Sequence, residues 1–137
     1  MIRFSEQERI ASEIARTVDG PDPFAAALRA TRMPMVIADP NLPDIPIVFV
    51  NAAFERATGY SRDEILGRNC RFLQGPKTDP AAVARIRDAI DRAVPIEIDL
   101  LNHRKNGEVF WNRLLIAPVF DSQRKVAYFF ASQYDVT

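Results

Sequence analysis

Residues 96–120 read IEIDLLNHRKNGEVFWNRLLIAPVF. Apolar and charged side chains alternate from Ile96 to Leu100, the period of a strand with one buried face. Asn106-Gly107 supplies the chemistry of a tight hairpin turn, because both residues tolerate positive φ. Alternation then resumes, with Phe110, Asn112, Leu114 and Ile116 on one side. The stretch predicts two antiparallel strands. Asp121-Ser122-Gln123-Arg124 is a further turn, and KVAYFFASQYD (125–135) is a third strand.

Upstream, MVIA (35–38) and IVFVN (47–51) read as short strands separated by the proline-rich loop DPNLPDIP (39–46). The middle of the chain is helical. Ser61-Arg62-Asp63-Glu64 is a capping box, and Asp79-Pro80 is a cap-then-proline signal for a helix over about 80–92. Two strands, a helical middle and three strands predict an α+β domain with a five-stranded antiparallel sheet and short helices on one face. Before it, Ile10, Ile14 and Val18 repeat at helical spacing, DGPDP (19–23) breaks the chain, and FAAALRAT (24–31) reads as a second short helix. The expected organisation is an N-terminal helical extension at 1–33 and one domain at 34–137.

Bulk properties narrow the function. The chain has 137 residues, 47% of them hydrophobic, with eighteen basic side chains balancing eighteen acidic ones. Net neutrality gives no overall basic field for nucleic acid. One cysteine cannot form an internal disulfide, and MIRFSEQERI (1–10) has no apolar signal core. No apolar run is long enough to cross a bilayer. The expected setting is cytoplasmic, with no membrane partner.

Strand parity isolates unusual polar side chains. Asn102 shares a face with Ile96, Ile98 and Leu100. Asn112 shares one with Phe110, Leu114 and Ile116, and Gln133 one with Ala127, Phe129 and Ala131. On the long helix Arg87 falls on the apolar stripe of Val83, Ile86 and Ile90. Each amide could bond backbone, and an arginine can snorkel to water. Left unpaired, each buried amide costs about 1–3 kcal/mol. One ligand with a flat apolar body, a polar edge and an anionic tail would satisfy all four.

The lone cysteine lies in Gly67–Gly75, GRNCRFLQG. Nearby cations lower a thiol pKa, so Arg68 or Arg71, if close, would do so for Cys70. Arg71 could instead join Arg87 in gripping a phosphate. The one histidine, His103, falls on the face opposite Asn102, which disfavours Cys–His catalysis. No carboxylate pair or Cys/His cluster suggests hydrolysis or a metal site. No enzymatic turnover is expected.

GRNCRFLQG together with PKTDPAAVARIRDAI (76–90) closely resembles the signature of light-oxygen-voltage (LOV) domains, the flavin-binding blue-light sensors of the PAS superfamily. The resemblance runs from about Met35 to Thr137 and includes the NHRKNGEVFWN hairpin (102–112) and the final SQYDVT (132–137). It implies a PAS fold holding FMN. It implies that Cys70 is the photoactive thiol, which adds to flavin C4a while N5 gains a proton, and that the bond breaks again in the dark. By the same resemblance Asn102 and Asn112 bind the pyrimidine edge of the ring, and Gln133 lies near N5 and O4. Asn69 and Gln74 hold the ribityl chain, and Arg71 and Arg87 grip the phosphate. Leu73, Val83, Ile86, Ile90, Leu114 and Phe129 supply apolar contacts. Glu64 and Lys105 match a surface ion pair, which here competes with the capping-box role of Glu64. The chain departs from the family at Ala131, where glycine is usual, and at Ala38, where threonine is common.

The signal is expected to leave through the last strand and the terminal helices. The outer sheet face, which carries Trp111, Leu115, Tyr128 and Phe130, and the N-terminal helix are expected either to form a homodimer or to cover each other, the helix folding back over its own sheet. The family most often runs on into a helix and an output domain, so two expectations stand for a sequence that stops just past the last strand: a fragment whose output domain lies outside it, or a short member that signals by association. Two other readings stay open: a PAS-type flavin redox or small-ligand sensor, and a ligand-free interaction module.

Overall fold

In a computed structural model that describes residues 31–137, five strands form one antiparallel sheet in the order β2-β1-β5-β4-β3. They are β1 (Met35–Ala38), β2 (Ile47–Val50), β3 (Ile96–His103), β4 (Val109–Phe120) and β5 (Val126–Asp135). Between β2 and β3 come α1 (Ala52–Thr58), α2 (Arg62–Ile65), a 3₁₀ turn at Cys70–Leu73, and α3 (Pro80–Asp91). The extension expected at 1–33, with its Ile10, Ile14 and Val18 stripe, lies almost wholly outside the described residues.

Local chemistry sets the helix ends. Ser61 and Glu64 close a reciprocal capping box on α2. Asp79 accepts from the Ala81 amide at 2.9 Å with Pro80 beside it, a cap generally worth about 1 kcal/mol. Asn51 caps α1 through the Phe54 amide at 3.1 Å. The same amide group ties down the incoming chain, accepting from Met35 N and donating to Met33 O, both at 2.9 Å. Gly107 takes φ 88° in the β3–β4 turn, where a side chain would be strained.

The core lies between the sheet and the helices. Val36, Val50, Phe54, Ile65, Leu73, Ile86, Ile98, Leu100, Leu114, Ile116, Phe129 and Ala131 form it, with Cys70 and Ile90 packed against it. Ile37, Phe49, Ala127 and Tyr128 form a second buried cluster. Ile37 pairs with Phe49 and Phe130, while Val36 pairs with Val50 and Ala131. The two clusters therefore occupy opposite faces of the sheet.

Ala127 corrects the parity reading. Val119 pairs with Tyr128 but Phe120 pairs with Val126, so Ala127 is the extra residue of a bulge. The slip moves it out of the Phe129, Ala131 and Gln133 set. The outer face is also less open than expected. Trp111 is exposed, Leu115 and Phe130 are half-buried, and Tyr128 is buried.

Candidate functional site

Parity on three adjacent strands puts the amides together. Asn102, Asn112 and Gln133 are all buried. Register explains why: Asn112 lies opposite Leu100 on β3, and Gln133 lies opposite Leu114 on β4. Asn112 Nδ2 donates to Asn102 Oδ1 at 2.8 Å, and Asn102 Nδ2 donates to the Leu101 carbonyl at 3.2 Å. The acceptors Asn112 Oδ1 and Gln133 Oε1 are buried without a hydrogen-bond partner. Two orphaned acceptors in so small a region are what a missing donor-bearing ligand would leave.

A small cavity of about 80 Å³ lies beside them. Its walls are Cys70, Leu73, Ile86, Ile90, Leu100, Asn102, Leu114, Ile116, Ala131 and Gln133, with Asn69, Arg71 and Gln74 on one side. Asn69, Arg71, Gln74, Ile86 and Ile90 also border a wider mouth of about 270 Å³, completed by Asp44, Ile45, Val83, Arg87 and Asp91. The enclosed chamber is smaller than a typical ligand pocket, and the mouth lies near the lower end of that range, about 300 Å³. The chamber is apolar with amides at one end, and the mouth carries two guanidinium groups.

The expected FMN is compatible with these donors and acceptors. A tricyclic ring suits apolar walls, its polar edge suits the amides, and a phosphate suits Arg71 and Arg87. Not every expected contact lines the cavity. Phe129 packs in the core, and Asn112 stands one hydrogen bond behind Asn102. Val83 and Arg87 border the mouth, and Arg87 is exposed, not buried on its helix stripe. The buried row of α3 is Ala82, Ile86 and Ala89, which turns Arg87 outward. Gln74 makes no side-chain hydrogen bond among the described residues.

Asn69 precedes the 3₁₀ turn and accepts from the Arg71 amide at 3.0 Å. This cap fixes where Cys70 begins its turn, half-buried and on the cavity wall. Burial pushes the Cys70 thiol up to about 12. The condition for a neighbouring arginine to lower it is not met, because both side chains point elsewhere. Arg68 is exposed, with its guanidinium 5.5 Å from the Phe72 ring centre, and Arg71 forks onto the Asp44 carboxylate. Cys70 is therefore a neutral thiol at pH 7.

Asp44 and Ile45 were missed by sequence reasoning. Only their position inside a proline-rich loop marked them, and nothing local reveals a contact with residues 69–71. Thr78 was missed too. Its hydroxyl accepts from Gly75 N at 3.0 Å and donates to Leu101 O at 2.6 Å, tying the Gln74-Gly75 segment to β3. Glu64 serves both expected roles without competition. Its Oε1 accepts from Ser61 N at 2.9 Å and from Lys105 Nζ at 3.0 Å, and its Oε2 accepts from Lys105 Nζ at 2.7 Å.

Comparison with known proteins agrees with this geometry. A PAS-domain family model matches residues 32–137. The blue-light-activated histidine kinase of Brucella ovis is 56% identical over 116 residues, covering 85% of this chain and 24% of the kinase. The kinase of the same name from Brucella anthropi is 53% identical over an equal span. The chain thus spans about a quarter of the length of the curated kinases it matches. A solved light-oxygen-voltage domain studied with a flavin analogue superposes with TM-score 0.80 at 43% identity, covering 85% of this chain and 87% of that one. The LOV domain of the Erythrobacter litoralis EL346 blue-light-activated histidine kinase superposes with TM-score 0.73 at 48% identity, covering 76% of this chain and 95% of that one. Among the described residues no helix is long and apolar enough to cross a membrane. With that match over nearly all of the described residues, a PAS sheet and a thiol set in the wall of a polar-ended cavity, the chain belongs to the light-oxygen-voltage family of blue-light photoreceptor domains.

Proposed function

We propose that this chain senses blue light by binding FMN in the cavity and linking Cys70 to it reversibly. When bound, the flavin would supply blue absorption and a ring carbon, C4a, that accepts the Cys70 sulfur while N5 takes a proton. Cys70 contributes both partners of that exchange. Burial keeps its proton on sulfur at pH 7, so the thiol would add across the C4a=N5 double bond, its S–H bond and that π bond giving way to one S–C and one N–H bond. The Asn69-capped turn holds the sulfur at the wall, so position substitutes for intrinsic nucleophilicity.

The amides read the polar edge. Gln133 offers a buried, unpaired Oε1 in the same wall. An amide can present N–H₂ to a ring acceptor or oxygen to a ring donor by turning over. Gln133 also borders a second cavity lined by Thr31–Pro34, Ala57, Phe110, Tyr134 and Asp135. A turn of this side chain would thus be felt in both cavities. The output is proposed to be a kinase-like domain outside this sequence, because the relatives are kinases of which the chain spans a quarter.

The observation that carries the reading is the neutral Cys70 thiol sharing one wall with the unpaired Gln133 acceptor. One absorption series tests it. The purified chain should be yellow, lose its blue band under blue light and recover it in the dark. Cys70→Ala should stay yellow and keep its band. A colourless chain would favour an interaction module, and a band that blue light leaves intact would favour a redox or small-ligand sensor.

A further inference from the structure

Two of the side chains assigned to the ligand tail converge on one residue that no sequence signal marks. Arg71 Nη1 donates to Asp44 Oδ1 at 2.8 Å, and Nη2 donates to Asp44 Oδ2. Asn69 Nδ2 donates to the Asp44 carbonyl at 2.7 Å. Asp44 therefore holds the guanidinium with its side chain and the neighbouring amide with its backbone.

The loop is built to make this possible. Asp44 and Ile45 take φ 66° and 48°, and a β-branched residue is a rare occupant of that region. Ile45 packs against the main core, and Ile45 N donates to Leu42 O at 3.2 Å. Two residues on, Ile47 N donates to Arg68 O at 2.8 Å and Gly67 N donates to Ile47 O at 2.9 Å. The left-handed pair is thus stitched to the segment that carries Asn69, Cys70 and Arg71.

Arginine has five N–H groups in a fixed plane. Asp44 takes one from each terminal nitrogen. Nε–H and the remaining N–H groups have no partner among the described residues, and Arg71 borders the mouth together with Arg87. We propose that Asp44 is a positioning residue of the phosphate grip. It fixes one edge of the Arg71 plane so that the other edge is free to fork onto the phosphate of FMN. The proposal rests on reading the cavity as an FMN site, and it adds a specificity element to it. A bidentate fork prefers a phosphate ester over a neutral sugar end. Orienting the fork in advance removes the freedom that binding would otherwise have to freeze.

The opposite role is also physically sensible. A carboxylate on the phosphate-reading arginine could be a competitor that FMN must displace. The two roles differ in sign. Dissociation constants of FMN and of riboflavin, which lacks the phosphate, are measured by flavin fluorescence for the parent chain, Asp44→Ala, Arg71→Ala and the double variant. Asp44→Ala should weaken FMN about fivefold, the upper range for an exposed pair of good geometry, and shift riboflavin less than about twofold. In the Arg71→Ala background it should change FMN no further. Asp44→Ser is the second variant should the alanine chain fold poorly. Unchanged or tighter FMN binding would overturn the positioning role, as would an equal loss for both flavins or full additivity with Arg71→Ala. A parent chain that binds neither flavin, or both equally, would instead overturn the FMN reading and this inference with it.

Discussion

Gly75→Ala should destabilise the domain by a mechanism confined to one contact. Gly75 is not held in a left-handed conformation, so its requirement for glycine is spatial. A Cβ there would lie 2.4 Å from His103 Cε1, 2.5 Å from Nδ1 and 2.8 Å from Nε2. Carbon atoms rest at ~3.5–4.0 Å, so the ring must retreat by roughly 1 Å. Neither side gives easily. His103 is fixed on β3 opposite Val109, and its Nδ1 is buried without a partner. Gly75 is tied to the same strand through Thr78 and Leu101 O. Overpacking of this kind costs ~1–3 kcal/mol. At about 2 kcal/mol, a domain of this size should lose about 5–10 °C of melting temperature. Urea unfolding of the parent chain, Gly75→Ala, His103→Ala and the double variant, at fixed FMN excess, measures it. Removing the ring should recover about 1–2 kcal/mol of the alanine penalty as a coupling energy. A Gly75→Ala chain within about 0.5 kcal/mol of the parent, or an equal penalty with and without the ring, would refute the reasoning.

Three further outcomes are expected. Arg87→Ala should leave stability near the parent value, because the side chain is exposed. It should weaken FMN by roughly 1.5–3 kcal/mol while sparing riboflavin; equal losses would show that it does not read phosphate. Gln133→Leu should still bleach under blue light but give a smaller light-minus-dark hydrogen-exchange difference across 31–38 and 125–137. A full parental difference would remove this amide from the signal route. Finally, Lys105, then Ser61, hold the Glu64 carboxyl down from 4.5 to about 2. A depressed folded value means the contribution is complete above about 4.5 and fades as pH falls towards 2. Glu64→Gln should flatten that part of the acid-stability profile, and an unchanged slope from pH 4.5 to 2 would count against the ion pair.

What the sequence revealed was mostly local or periodic. The capping box at Ser61, the proline start at Pro80 and the turn at Gly107 each depend on a few adjacent residues. The three amides depend only on strand parity, which survives wherever pairing is regular. Parity failed at Ala127, where a bulge inserts a residue that no local pattern announces. Parity by itself carries no depth: Phe129 packs in the core, and Asn112 stands one hydrogen bond behind Asn102. Charge depends on distance in space. Arg68 and Arg71 flank Cys70 in sequence, but neighbours along a chain need not be neighbours in space. One side chain reaches Phe72 and the other crosses to Asp44, so burial alone governs the thiol. Asp44 itself is 27 residues from Arg71, and loop-to-loop contacts of that kind have no periodic signature.

The incoming strand β1 lies beside the outgoing strand β5, with Met35 opposite Ser132 and Gln133 N bonded to Pro34 O at 2.9 Å. Neighbouring strands are ~4.8 Å apart, so the polypeptide arrives and departs at nearly the same point. A unit with that geometry can be spliced into a surface loop of an unrelated host without prising the loop open. Its host would then be gripped from two directions by a single hydrogen-bonded seam. A shift in register at Gln133 would act on both junctions together, because Gln133 N and Pro34 O share one bond.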